Sequence, residues 1–275
     1  MKKIFFIALL ALTLVNCEIQ NHNNFMDDFS NNDIEKVENP LAFSIDKDKK
    51  IIFSKGNLQY HPKYDIWRFA VNQTDYIGES NKYITTSYKV WIDLFGWGTG
   101  AYPTKSTTNM CYYPTFVDWG INKIDGDSLN GWRTLTYEEW NYIIFDRANA
   151  PSLRGIAQVN GVNGLILLPD GWNSPADIVF KNGFHSESGS RYYADYQIFT
   201  NSQWSALEKA GAVFLPASGG RYASSVYDVR YFGGYWSATE DKNGYARYLY
   251  FDSSTAEMYS NNRGYGRSVR LVKDL

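Results

Sequence analysis

The sequence is poor in cysteine, histidine and charge. It holds two cysteines and three histidines in 275 residues, and charged side chains make up only 20%. Two cysteines exclude a disulfide scaffold and a multi-cysteine zinc module. His22, His61 and His185 are scattered; none pairs at metal-ligand spacing or joins a recognisable triad. A net charge of -2 and an isoelectric point near 6.0 leave no basic footprint for nucleic acid. A mean hydropathy of -0.41 excludes a polytopic membrane protein. What the chain has instead is aromatic rings: Trp 9, Tyr 22 and Phe 16, or 17% of all residues. So much surface to bury argues against intrinsic disorder. The length suits one large domain or two small ones.

The first residues read as an address. Met1-Lys2-Lys3 is a positive start, and residues 4–15 are an almost unbroken apolar run, too short for a membrane helix. Leu14-Val15-Asn16-Cys17 resembles the lipobox of bacterial lipoproteins, with Asn16 in place of the usual small residue. The resemblance implies a signal peptide over 1–16 and lipidation of Cys17, which anchors the chain to a membrane. The alternative is an ordinary secretory signal with Cys17 as a spare thiol. Residues 17–40 are rich in Asn, Asp and Glu, lack a sustained period and end at Asn39-Pro40, which predicts a flexible tether. Asp27-Asp28 fits either an acidic surface-export signal or plain linker charge.

Residues 41–275 are expected to fold as a single domain. Ala42-Phe43-Ser44-Ile45 and Lys50-Ile51-Ile52-Phe53-Ser54 flank a charged turn and predict a hairpin. Asn57-Leu58-Gln59-Tyr60 and Ile66-Trp67-Arg68-Phe69 predict further short strands. Residues 100–131 show no clear period and predict an irregular insertion. Thr136-Tyr137-Glu138-Glu139 and Thr200-Asn201-Ser202-Gln203 are capping boxes, and Gly211 reads as a helix stop. Each helix leads on to an apolar strand closed by proline, at Pro169 and Pro216. Tyr235-Trp236-Ser237-Ala238 and segments 246–251, 256–259 and 268–272 predict a β-rich end. The order is that of an α+β domain.

Gly131-Trp132-Arg133-Thr134-Leu135-Thr136-Tyr137-Glu138-Glu139-Trp140 resembles a helix entry of formylglycine-generating-enzyme-like domains. Gly233-Gly234-Tyr235-Trp236-Ser237-Ala238-Thr239 and Gly266-Arg267-Ser268-Val269-Arg270-Leu271-Val272 resemble closing motifs of that superfamily. Their spelling is similar to the Fibrobacter succinogenes major paralogous domain family, common among gut-bacterial surface lipoproteins. The resemblance implies a C-type-lectin-like fold, in which the first and last strands pair and two helices flank a twisted sheet. It does not fix function, because the fold hosts enzymes, lectins and variable binders.

Chemistry narrows the choice. Formylglycine formation needs a reactive cysteine pair, and beyond the tether only Cys111 remains. The calcium ligands of sugar-binding C-type lectins are missing: Leu168-Pro169-Asp170 lacks the first, and Ser237-Ala238 follows Trp236. Asp125-Gly126-Asp127 starts like a calcium loop, but Leu129 and Thr136 stand where oxygen ligands belong. No catalytic residue, metal ligand or cofactor is therefore expected. Asp127-Ser128-Leu129 fits a short O-glycosylation sequon of some gut bacteria, at a frequency that chance also supplies.

The candidate binding site is C-terminal. Asp241, Lys242, Asn243, Tyr245 and Arg247 crowd one turn; Tyr259, Asn261, Asn262, Arg263 and Tyr265 crowd another. Tyr, Asn and Arg combine rigid aromatic area with adaptable hydrogen bonding. In variable proteins of the resembled fold the corresponding stretch is the ligand surface. β propensity alone also favours such tyrosines. Alternation places Leu249 and Phe251 in the core and Tyr248 and Tyr250 outside. The expectation is an outer-membrane surface lipoprotein that binds a glycan or protein without calcium. Its rivals are a structural, appendage-associated subunit and a formylglycine-generating-type oxidase.

Overall fold

Short, apolar-rich strands joined by tight turns dominate the chain from Leu41 onward. The computed structural model describes residues 41–109, 113, 115–127, 129–185 and 193–275. The leader and tether, including Cys17 and His22, lie outside the described residues, as do Cys111 and Ser128.

β1 (Phe43–Ser44) and β2 (Lys50–Phe53) form the expected hairpin, with Phe43 opposite Ile51. β3 (Leu58–His61) and β4 (Ile66–Phe69) form the next, and Asp65 takes the left-handed conformation at its turn. The chain from 70 to 132 is irregular and, among the described residues, carries short 3-10 turns such as Gly78–Tyr83 and Trp119–Ile121. It is held by burial. Trp97 and Trp119 are inside, and Gly120 fits so closely that a Cβ would stand 1.8 Å from the Trp132 carbonyl oxygen. The irregular stretch is thus longer than the insertion expected at 100–131.

β5 (Arg133–Thr134) leads into α1 (Tyr137–Asn141), which continues as a π-turn over Tyr142–Asp146. Thr136 caps α1 as expected: its Oγ1 accepts from Glu139 N at 3.2 Å, and the Glu139 carboxylate accepts from Thr136 N at 2.8 Å. β6 (Arg154–Val159) and β7 (Val162–Leu167) join through Asn160-Gly161, both at positive φ, the two-residue turn that suits strand twist. β8 (Ile198–Phe199), α2 (Asn201–Lys209) and β9 (Val213–Pro216) follow; Thr200 caps α2, and Gly211 turns the chain out of it with φ 99. β10 (Gly220–Tyr222) and β11 (Ser225–Tyr227) form a small hairpin. β12 (Gly233–Glu240), β13 (Tyr245–Phe251) and β14 (Ala256–Asn262) form an antiparallel meander, and β15 (Leu271–Asp274) ends the chain.

The result is a mixed α/β unit of mostly antiparallel sheets with few helices. β15 lies between β2 and β5, so strands from the two ends of the unit pair, with Val272 opposite Phe53. The sheet β8-β6-β7-β9 contains a parallel strand pair, β6 with β8. Three apolar clusters fill the unit. One joins Phe43, Ile51, Trp140, Tyr235, Leu249 and Val272. A second joins Trp67, Phe95, Trp97, Trp119, Trp236 and Tyr248. The third packs α2 through Trp204 and Leu207 on Ile166 and Phe214.

The meander separates the first two clusters. Leu249 and Phe251 enter one, as expected. Tyr248 was expected outside but is 6% exposed and enters the other, edge-on to Trp236 at 5.8 Å. Alternation gives the side of a strand, not its exposure. β13 is the middle strand of its sheet and is covered on both sides.

Candidate functional site

The register of the meander brings the two predicted turns together. β13 starts and β14 ends at the same edge, so Tyr245 stands opposite Asn262 and Arg247 opposite Ser260. Asp241 shapes the first turn. Its carboxylate accepts from Ser260 Oγ, from Lys242 N at 2.8 Å and from Arg247 Nη2 at 3.2 Å. The Ser260 hydroxyl first, then the Lys242 amide, hold this carboxyl below the usual range. Asn243 and Gly244 supply positive φ, and Lys242 and Asn243 are exposed.

The ten candidates do not form one face. Cross-strand partners share a side of the sheet and alternate along it. Arg247 lies on the α1 side, with its guanidinium 5.2 Å from the Tyr137 ring. Tyr245 and Asn262 occupy the same side by register; Asn262 Nδ2 donates to Thr108 O at 3.3 Å. Tyr259 and Asn261 fall on the opposite side, with Tyr248 and Tyr250. There Tyr259 meets Tyr250 edge-on at 5.3 Å and is 43% exposed.

Arg263 is a brace within the protein. It is 4% exposed and lies 4.6 Å from the Trp97 ring. Nη1 donates to Tyr113 O at 2.9 Å, Nε donates to Tyr245 O at 3.3 Å, and Nη2 pairs with Glu240. The guanidinium so joins β12, β13 and the irregular stretch, which takes it out of the expected ligand surface.

On the Tyr259 side lies a depression of about 540 Å³. Tyr265 and Asn261 line it, together with Tyr222, Ser225 and Tyr227 of the β10–β11 hairpin, which were not expected at the site. Tyr222 and Tyr265 sit 4.7 Å apart, and Tyr227 meets Tyr265 edge-on at 6.4 Å. Arg267 forms part of the floor, and its Nη1 donates to the Tyr227 hydroxyl at 2.8 Å. Burial raises the Tyr227 hydroxyl above its ordinary pKa against the opposing pull of Arg267, so the phenol stays protonated at neutral pH. The same Tyr, Arg and Ser vocabulary runs through Arg221-Tyr222 and Ser225-Val226-Tyr227 and was the signal available in the sequence.

Among the described residues, no group of three or more His, Cys, Asp or Glu side chains is placed to hold a metal ion. Nor is any described helix long and apolar enough to cross a membrane. Another groove, of about 530 Å³, runs between the β1–β2 turn and α1, but its Glu139 is committed to the cap and to Arg133.

Fold and site together define a mixed α/β unit carrying an open, tyrosine-walled depression. Residues 194–272 match the family model described as Domain of unknown function (DUF8237). That segment includes every residue named in the depression. No curated protein and no solved structure matches the chain.

Proposed function

We propose that the chain is a lipid-anchored surface protein whose C-type-lectin-like domain binds a glycan or protein ligand without calcium or catalysis. The observation that carries the reading is the depression walled by Tyr222, Tyr227 and Tyr265. Rigid aromatic faces beside Asn261 and Ser225 offer stacking area and adaptable hydrogen bonds at low entropic cost. The fold assignment is supported by the pairing of β2 with β15, by the largely antiparallel sheets and by the two helices. The anchor is supported by Leu14-Val15-Asn16-Cys17. The reading is of an outer-membrane lipoprotein that faces outward, with a periplasm-facing anchor as the alternative.

A glycan and protein array tests the reading. Tyr265→Ala, in the depression, loses the partner that the unaltered chain binds. Tyr245→Ala, on the other side of the sheet, keeps it. If Tyr265→Ala keeps the partner, the site assignment fails. Intact mass of the native protein checks the anchor, because lipidation at Cys17 adds acyl mass to a chain cut before that residue.

A further inference from the structure

Arg267 is 2% exposed. Four rings surround its guanidinium: Tyr248 at 4.7 Å, Phe232 at 5.3 Å, Tyr265 at 5.4 Å and Tyr227 at 5.8 Å. Buried arginines are normally paired with a carboxylate. The others near the site follow that rule or bond to carbonyls: Arg263 pairs with Glu240, and Arg221 donates to Leu94 O at 3.2 Å and to Ala223 O at 3.1 Å. Arg267 makes no ion pair with a described residue. Among the described residues its one side-chain acceptor is the Tyr227 hydroxyl, and Nε is buried without a partner. Asp228 lies on the rim of the same depression but outside ion-pair distance.

We propose that the Arg267 guanidinium receives an acidic group of the ligand, so that the depression takes an anionic saccharide. This rests on the binding function proposed above and names its ligand class. Three features converge. A guanidinium with spare N–H groups is a planar fork for a carboxylate or sulfate. The protonated Tyr227 hydroxyl accepts from Arg267 and so has its own hydrogen left to donate to the same anion. Tyr222 and Tyr265 flank this point with ring faces, while Asn261 and Ser225 present groups that bond sugar hydroxyls. A volume of about 540 Å³ fits a short saccharide, in the range of small-ligand sites, rather than a broad protein interface. The aromatic cage holds the cation in place without neutralising it.

Binding of the full chain to paired probes tests this. Polygalacturonate is compared with its methyl ester, and dextran sulfate with dextran. The charged member of at least one pair binds at least about tenfold more tightly, the scale of one charge-assisted hydrogen bond. The difference disappears in Arg267→Met and shrinks in Arg267→Lys, which keeps the charge without the fork. Thermal melting confirms that both variants are folded. If Arg267→Met does not fold, the decision passes to Tyr227→Phe, which removes the second donor and narrows the difference. Equal binding of both members of each pair, absence of binding to all four, or a difference unchanged by these substitutions overturns the inference. A neutral glycan or a protein that is captured on the array and lost in Tyr265→Ala also overturns it, yet leaves the proposed function standing.

Discussion

Single side chains decide what the C-terminal turns do. Tyr, Asn and Arg crowd residues 241–265, and composition alone reveals that crowding. Composition cannot show that Arg263 points inward onto Trp97 while Tyr259 points out. Asp93 shows the same dependence on surroundings. It is fully buried, its Oδ1 accepts from Asn81 Nδ2 at 2.8 Å, and its Oδ2 accepts from Ile77 N at 2.8 Å. No described cation pairs with it. Burial pushes its carboxyl up to about 6 from the ordinary 3.8, against the pull of these hydrogen bonds. The folded chain therefore holds this proton more tightly than the unfolded chain does. The stabilisation is complete below the unfolded value and is lost as pH rises through the folded one, between about pH 4 and 6. At 1.36 kcal/mol per pKa unit the loss is about 3 kcal/mol. Denaturant unfolding of the unaltered chain and of Asp93→Asn checks this. The stability difference between them shifts by about that amount, against the unaltered chain, from pH 4 to pH 7.5.

At the scale of elements, local signals were legible and tertiary ones were not. Both capping boxes could be read because donor and acceptor lie three residues apart, and both form. The β1–β2 hairpin and the strands β3 and β4 could be read because charged or polar turns interrupt apolar runs. β10–β11 left no such mark. Its turn passes through Ala223 at φ 51, a conformation that alanine rarely takes. Arg221 is buried there and exchanges backbone bonds with Gly266 far along the chain. The site was half legible for the same reason. Its C-terminal half announces itself by residue type, whereas its other wall depends on a hairpin that tertiary contacts hold. The cap on α1 carries a definite cost. α1 is only five residues long before the π-turn, so the bond from Glu139 N to Thr136 Oγ1 ends a large share of its open donors. Thr136→Ala lowers stability by about 1 kcal/mol in denaturant unfolding, and Thr136→Ser stays close to the unaltered chain.

At the scale of the whole molecule, the family-matched segment and the folding unit do not coincide. The match covers 194–272, but the unit begins at Glu38. Within that segment only β10–β11 and the meander β12–β13–β14 find their partners. β8 pairs with β6, β9 with β7, and β15 with β2 and β5, and all four of those partners precede residue 194. Side chains cross the same divide. Trp236 Nε1 donates to Phe95 O at 2.7 Å, and Tyr235 accepts on its hydroxyl from Asn57 Nδ2 at 3.1 Å. Both clusters that sandwich the meander draw on earlier residues, Phe43 and Trp140 on one side, Trp67 and Trp119 on the other. A fragment of residues 194–272 would expose the apolar residues of both faces of β13 and leave three strands with unpaired backbone groups. Such a fragment shows no cooperative thermal transition and no near-ultraviolet circular dichroism from fixed aromatic rings. Residues 41–275 show both. A cooperative transition in the fragment would mean that the meander carries a core of its own, which the placement of Tyr248, Leu249 and Phe251 contradicts. The matched family therefore marks the part of the chain that carries the depression, and the preceding residues supply the strands and core side chains that this part pairs and packs with.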